Sequence, residues 1–395
     1  MNSISPRLIL LALLLSPPLL PAREPQTSPA PSQQTIRART LGIPFDGTPG
    51  PLNAITDITG VEVGYATLIS GEGKLEVGKG PVRTGVTAIL PRGRRSFDDP
   101  VYAGYFSLNG NGEMTGAAWI EESGFLEGPV MITNTHSVGV VRDATIAWRV
   151  AQAGPDPTGF SWSLPVVAET WDGYLNDING FHIKPEHVVN ALNTAKPGAM
   201  AEGSIGGGTG MVSFEFKGGT GTASRVLDKK SGGYVVGALV QANCGRREQL
   251  MIAGIPVGRE ITENALFKQE AGSIIIVVAT NAPLLPHQLK RLARRASLGL
   301  ARTGSVSGNG SGDLFVAFST ANTGAADPAE PTHSVTTVPN DRMDPIFTAT
   351  VQSVEEAIIN AMVANQGMTG RDNHRVDSLP HDRVRELLKK YNRLR

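Results

Sequence analysis

Gly272-Ser273 is the dipeptide in this sequence that offers chemistry by itself. It stands ahead of an apolar run, Ile274 to Ala279, in "GSIIIVVATNAPL". One reading is structural: a buried strand starts there. The other is chemical: the chain is cut between the two residues, and Ser273 becomes a new N-terminus. A serine hydroxyl set against the preceding carbonyl can attack it. The resulting N→O acyl shift gives an ester that water resolves. Glycine suits the acyl side, because no Cβ hinders attack and unusual dihedrals are open to it. The product carries a free α-amine on the same residue as the nucleophile. An unperturbed α-amine has a pKa of about 7.7–8, so it is a general base near neutral pH, tethered beside the hydroxyl. Such a catalyst needs no histidine.

Other constellations are weaker. The sequence has no HExxH, no paired CxxC and no Walker A run, and no GxSxG elbow. "GGGTG" at 206–210 is followed by no Lys-Ser/Thr, so it reads as tight turns. Of the histidines, His187, His287 and His381 fall on polar faces of predicted helices, and His333 and His374 fall in loops. His136, in "TNTHSVG", is the candidate for a Ser-His-Asp triad or, alternatively, a helix-entry residue. Asp172, Asn176 and Asp177 offer oxygens for calcium but lack the EF-hand glutamate, so a hydrogen-bonded loop is the expectation. Taken singly, Asn243 in "QANCG" reads as a turn at a strand end. Ser311 and Asp313 in "GSGD" read as a turn before a strand, and Glu169 in "AETW" as a solvated loop carboxylate. The lone cysteine, Cys244, reads as a small buried side chain or a thiol nucleophile.

These residues must be held by strands and helices that the pattern locates. "ITDITGVEVGYATL", "GVTAILPRG", "LPVVAETW" and "SGDLFVAFSTAN" read as strands. A turn is expected at Asn109–Gly112, then a helix over Val140–Ala153 started by Thr135 and Ser137. "KPEHVVNALNTA" is a helix with Pro185 in its first turn. "APLLPHQLKRLARRASLGLARTG" is an amphipathic helix closed by Gly304. "QSVEEAIINAMVANQG" and "SLPHDRVRELLKKYNRL" add two more, after a surface loop over Thr323–Pro345. Strands and helices come in blocks, which favours layered α+β over a doubly wound parallel sheet.

Composition sets the limits. The chain has 395 residues, 40% apolar, enough for a sizeable core. Its 46 glycines show no triplet period, which excludes collagen. Lys+Arg and Asp+Glu balance at 36 each. With no field to steer phosphate, nucleic acid is not an expected partner. Residues 1–22, with Arg7 and an apolar run from Leu8 to Leu15, have the outline of a secretory signal peptide too short for a comfortable membrane span. Residues 23–39 are polar and Pro/Ser-rich and read as a disordered tether. A single globular domain over 40–395 follows, in a periplasmic or secreted setting.

The motifs "TNTHSVGVVRDA", "VVAETWDGYLNDING", "GGGTGM", "KGGTGTASR", "VQANCG", "GSIIIVVATNAPL" and "GNGSGDLFVAFSTAN" together resemble the DmpA-like peptidases of family P1. That family comprises the L-aminopeptidase/D-Ala-esterase/amidases and the β-peptidyl aminopeptidases. The resemblance runs from about Leu41 to the C-terminal helix. It implies self-cleavage into an α chain (about 23–272) and a β chain (273–395). It also implies a four-layer αββα sandwich like that of the Ntn hydrolases, tetramers of αβ units, and no metal or organic cofactor. It makes Ser273 the nucleophile and Asn243 the oxyanion-hole donor, a contact whose loss costs on the order of 10²–10³ in rate. Ser311 and Asp313 become polar positions flanking the nucleophile, and Glu169 the holder of the substrate's free amine. Where the family places an oxyanion-assisting tyrosine, this chain has Trp171, with Tyr174 as the other candidate. Cys244 then bears on the pocket wall. The implied activity is release of N-terminal residues from short peptides, amides or esters through an acyl-enzyme. The alternatives are an ornithine acetyltransferase type of acyl transfer, disfavoured because that family's processed nucleophile is threonine, and a non-catalytic binding protein.

Overall fold

The structure, a computed structural model, describes residues 36–153, 159, 161–267 and 272–394. The expected signal peptide and most of the expected tether lie outside these residues. In chain order the first strands are β1 (Glu62–Ser70), β2 (Val82–Arg94), β3 (Val101–Gly110), β4 (Phe125–Leu126), β5 (Val130–Asn134), β6 (Val166–Thr170) and β7 (Val212–Ser213). They continue with β8 (Phe216–Lys217), β9 (Gly219–Val226), β10 (Val235–Asn243), β11 (Ser273–Thr280), β12 (Gly312–Ser319), β13 (Met368–Thr369) and β14 (Arg375–Val376). The helices are α1 (Ala117–Ser123), α2 (Val138–Gln152), α3 (Pro185–Asn193), α4 (Val257–Glu260), α5 (Pro286–Arg302), α6 (Asp344–Val363) and α7 (His381–Lys390).

Two sheets carry the fold, one in the order β1-β2-β5-β6 and one in the order β4-β3-β12-β11-β10-β9. Side-chain alternation decides what each face touches. In β11, Ile274, Ile276 and Val278 join a core with Leu289 and Leu292 of α5 and Ile358 and Met362 of α6. Ile275, Val277 and Ala279 point the other way, into a core with Ile89, Ile132 and Val166 of the smaller sheet. The outer face of that sheet, through Met131 and Val167, packs on Val141 and Trp148 of α2 and Val188 and Leu192 of α3. The layers are therefore α, β, β, α, as expected. Strands buried on both faces explain why β11 reads as a continuous apolar run.

The helices sit close on the sheets at positions without a Cβ. A Cβ on Gly221 of β9 would come 2.1 Å from the Ala357 carbonyl oxygen of α6. One on Gly64 of β1 would come 2.0 Å from the Ala191 carbonyl oxygen of α3.

Three sequence expectations need correction. The helix expected from Val140 starts at Val138, after a 3₁₀ turn over Thr135–Ser137. There the Asn134 side chain accepts from the His136 amide, a cap the sequence reading assigned to Thr135 and Ser137. Helix α6 begins at Asp344, inside the stretch expected as loop, with Pro345 in its first turn where a missing N–H is tolerated. Residues 36–39, expected as the end of a disordered tether, are packed on the domain. Arg37 meets Glu202 at 2.7 Å and Arg39 meets Glu356 at 2.8 Å, because both carboxylates are buried and need cations. Among the described residues no helix is long and apolar enough to cross a membrane.

Glu356 is fully buried in α6 and also binds Arg225 at 2.7 Å and the Asn53 amide at 2.6 Å. Glu356→Gln leaves the buried Arg225 guanidinium without its counter-charge. The expected loss of stability is about 3–5 kcal/mol, read as a lower midpoint in urea unfolding. An unchanged midpoint contradicts this account of the domain's N-terminal anchor.

Candidate active site

Ser273 is the first residue of β11. Its register partners are Asn243, the last residue of β10, and Gly312, the first of β12. All three stand at the same end of the larger sheet. Alternation puts residue 273 on the side of Ile275 and Val277, the face between the two sheets. The side chain is only 5% exposed, and its Oγ accepts a hydrogen bond from the Gly312 amide at 3.1 Å. Gly272 lies hard against the neighbouring strand: a Cβ there would come 1.9 Å from the Asn243 carbonyl oxygen. Glycine is thus required by close backbone approach, a reason additional to the chemical one.

Asn243 has its side-chain amide fixed from both ends. Its Oδ1 accepts from the Val212 amide at 2.7 Å, and its Nδ2 donates to the Trp171 carbonyl at 2.9 Å. Val212 belongs to the β7–β8 hairpin, whose Lys217 is completely buried. The Lys217 Nζ donates to the Met211 carbonyl at 2.9 Å and the Gly218 carbonyl at 2.7 Å. Burial pushes its amine down to about 7. Two residues before Asn243, Gln241 spans the gap between the sheets, donating to the Thr133 carbonyl at 3.0 Å and the Thr170 hydroxyl at 2.8 Å.

Ser311 and Asp313 flank Gly312 and are fully buried. The Ser311 hydroxyl donates to Asp313 Oδ1 at 2.7 Å. Glu169 comes from β6, in the opposite sheet. Its Oε1 accepts from the Glu113 amide at 3.0 Å and its Oε2 from the Thr135 hydroxyl at 2.5 Å. Burial raises this carboxyl above the usual range, against the two hydrogen bonds that lower it. Gly112 lies between the carboxylate and the larger sheet: a Cβ there would be 3.2 Å from both Glu169 Oε1 and the Gly312 Cα. Ser273 and Asn243 therefore approach the mouth of the inter-sheet cleft from one layer and Glu169 from the other, while Asp313, the register partner of Ile274, alternates onto the helix-facing side with Phe315 and Ala317.

The remaining candidates fall elsewhere or act differently. Trp171 serves Asn243 through its carbonyl, which any residue supplies. The Tyr174 ring stacks on His374 with centroids 4.6 Å apart and takes Phe267 edge-on at 5.2 Å. Cys244 alternates onto the helix-facing side of β10 and belongs to the core there, not to a pocket wall. His136 is exposed with its ring against Phe181, so it takes the helix-entry role and offers no triad base. Asp172, Asn176 and Asp177 form a buried loop network: Asn176 donates to Asp172 at 3.0 Å, and Asp177 takes the Gly78 amide and His182. Burial pushes Asp172 up to about 7. Sequence reading missed Thr135, the Glu113 amide, the Gly312 amide and Gln241. All four act through backbone or as ordinary polar side chains, which carry no motif of their own.

A hydroxyl at the head of a buried strand, a rigidly aimed amide beside it and a carboxylate across a cleft suit acyl transfer to and from a cationic substrate. The comparisons agree. The model of peptidase family S58 matches residues 53–376. The β-peptidyl aminopeptidase BapA of Sphingosinicella microcystinivorans is 55% identical over 381 residues, covering 92% of this chain and 95% of that one. The L-aminopeptidase D-Ala-esterase/amidase of Ochrobactrum anthropi, described as a prototype of the serine aminopeptidases with a variant Ntn-hydrolase fold, superposes with a TM-score of 0.84 at 49% identity. That match covers 91% of this chain and 99% of that one. A Burkholderia sp. β-aminopeptidase matches with a TM-score of 0.84 at 48% identity, covering 90% and 99%. The chain belongs to peptidase family S58 and is a serine aminopeptidase.

Proposed function

We propose that the chain cuts itself between Gly272 and Ser273 and then uses Ser273 as an N-terminal nucleophile to release N-terminal residues from short peptides, amides or esters. The observation that carries this reading is the position of Ser273 at the head of β11, between Asn243 and Gly312. In the first reaction the Ser273 Oγ bonds to the Gly272 carbonyl carbon and the C–N bond breaks. The hydroxyl proton ends on the departing nitrogen. Water then hydrolyses the ester, leaving a carboxylate on Gly272 and a free amine on Ser273. In turnover that amine takes the hydroxyl proton as Oγ attacks the substrate carbonyl, and returns it to the leaving amine. Asn243 keeps one amide N–H for the Trp171 carbonyl, and its second serves the developing oxyanion. The Ser311–Asp313 pair sets the ground around the nucleophile, and Glu169 holds the substrate's ammonium. A β-residue at the substrate's N-terminus is the favoured class, supported by the relative that is 55% identical and named a β-peptidyl aminopeptidase. Residues 1–22 support export, and the cut chains stay together as αβ units that assemble further.

Three outcomes test this. Intact mass spectrometry of the purified protein gives two fragments meeting at 272/273. Ser273→Ala gives one inactive chain, and an uncut wild-type protein that still turns over peptides sinks the scheme. Gly272→Ala forces a Cβ onto the Asn243 carbonyl. Overpacking of this kind costs about 1–3 kcal/mol, so uncut precursor disappears about tenfold more slowly or worse on a gel time course. Wild-type processing here contradicts the close-approach argument. Glu169→Gln removes a charge-assisted contact of about 1.5–3 kcal/mol, so KM for substrates with a free amine rises roughly ten- to hundredfold. In the wild type, kcat/KM falls on acidification as the Ser273 amine gains its proton and as Glu169, raised by burial, loses its charge. In Glu169→Gln only the amine limb remains. An unchanged acid limb and KM remove Glu169 from the amine site.

A further inference from the structure

The β7–β8 hairpin has a feature that the reaction described above does not use. Its two turn residues, Phe214 and Glu215, have φ of 49° and 61°. Both are in the left-handed region, where two-residue hairpins ordinarily carry Asn-Gly. A bulky aromatic and a glutamate in these positions are strained, and such a turn persists only when its surroundings over-determine it. Arg247 does so. Its guanidinium donates to the Phe214 carbonyl at 3.1 Å and the Glu215 carbonyl at 2.7 Å, and lies 3.5 Å over the Phe216 ring.

The strained turn aims the Glu215 carboxylate, 2% exposed, at the chain just upstream of the scissile bond. Its Oε1 accepts from the Arg247 amide at 3.0 Å. Its Oε2 accepts from the Leu266 amide and, at 3.2 Å, from the Phe267 amide. Arg247 also donates to the carbonyls of Ile261 at 3.2 Å and Glu263 at 2.8 Å. Glu215 and Arg247 thus hold the same segment by its amides and its carbonyls. On the other side of the junction Ser273 is pinned in the sheet. Only residues 268–272 separate Phe267 from Ser273.

We propose that Glu215 is a positioning residue for self-cleavage. It anchors the chain at Leu266 and Phe267, so that only residues 268–272 lie between the anchor and the nucleophile. This rests on the reading that the 272/273 bond is the one cut. Without the Glu215 clamp the next hydrogen-bonded anchor upstream is the Asn264 side chain, which donates to Asp377 at 2.9 Å, so the stretch between anchor and Ser273 grows from residues 268–272 to residues 265–272. Closure entropy alone then slows presentation by roughly twofold, since each doubling of length is worth about threefold. Loss of orientation adds to that.

The test uses the full chain with Glu215→Gly, which accepts the left-handed backbone, and Glu215→Gln, which keeps the side-chain shape and one acceptor oxygen. Loss of intact precursor after synthesis is followed by mass spectrometry, and kcat and KM are measured on the fully cut enzyme. The expected result is processing slowed threefold or more in Glu215→Gly and less in Glu215→Gln, with kcat and KM of the cut enzyme close to wild type. In an uncleavable Ser273→Ala background, added protease should nick the stretch 265–272 faster when Glu215→Gly is present. That arm reads the anchor even if the 272/273 bond is never self-cleaved. Wild-type processing in Glu215→Gly, equal loss of kcat in the cut enzyme, or unchanged nicking each overturns the proposal. An uncut wild-type chain with faster nicking in the variant overturns the cleavage reading while leaving the anchor in place.

Discussion

The backbone ladder joining β10, β11 and β12 is the constraint on which the site depends. Its register sets Ser273 between Asn243 and Gly312. A slip of one residue would turn Ser273 from the inter-sheet cleft into the helix-facing core, because side chains alternate faces. The register is enforced by burial on both faces: Ile274 and Ile275 are each fully buried, against different layers. A nucleophile placed this way inherits the rigidity of a sheet interior and needs few dedicated supports.

The polar groups around it illustrate the converse. Asn243, Glu169, Asp313 and Lys217 are removed from water; main-chain groups hold Asn243, Glu169 and Lys217, and the Ser311 hydroxyl holds Asp313. In a region of low effective dielectric such contacts are strong when made and costly when broken. Glu169 and Lys217 show the charge side of this, with burial moving a carboxyl up and an amine down. The sheets are tied at the same end by Gln241, which donates to both Thr133 and Thr170 across the cleft.

Much of this was legible in the residues. The apolar run after Ser273, the amphipathic α5 and the glycine-bounded strands made the layered α+β class readable. The individual site residues were not: Asn243, Ser311 and Glu169 each look like turn or loop residues, and only their joint occurrence in one family's motifs singled them out. What stayed hidden was whatever depends on approach in space. The Gly312 amide and the Glu113 amide have no side-chain signature. Trp171 drew attention for its indole, yet its carbonyl is what meets Asn243. Cys244 sits beside Asn243 in sequence and on the opposite face in the fold. The ordered Arg37 and Arg39 look like tether residues because their partners, Glu202 and Glu356, are distant in the chain.

The seats at Gly221 and Gly64 have an evolutionary reading. With helix carbonyls almost touching strand backbone, each outer layer sits at main-chain distance from its own sheet and cannot slide across it without meeting backbone. Diversification of such a scaffold is therefore channelled into the connections at the strand ends, where insertions are tolerated, and the spacing between a helix layer and its sheet becomes an inherited constant rather than a tunable variable.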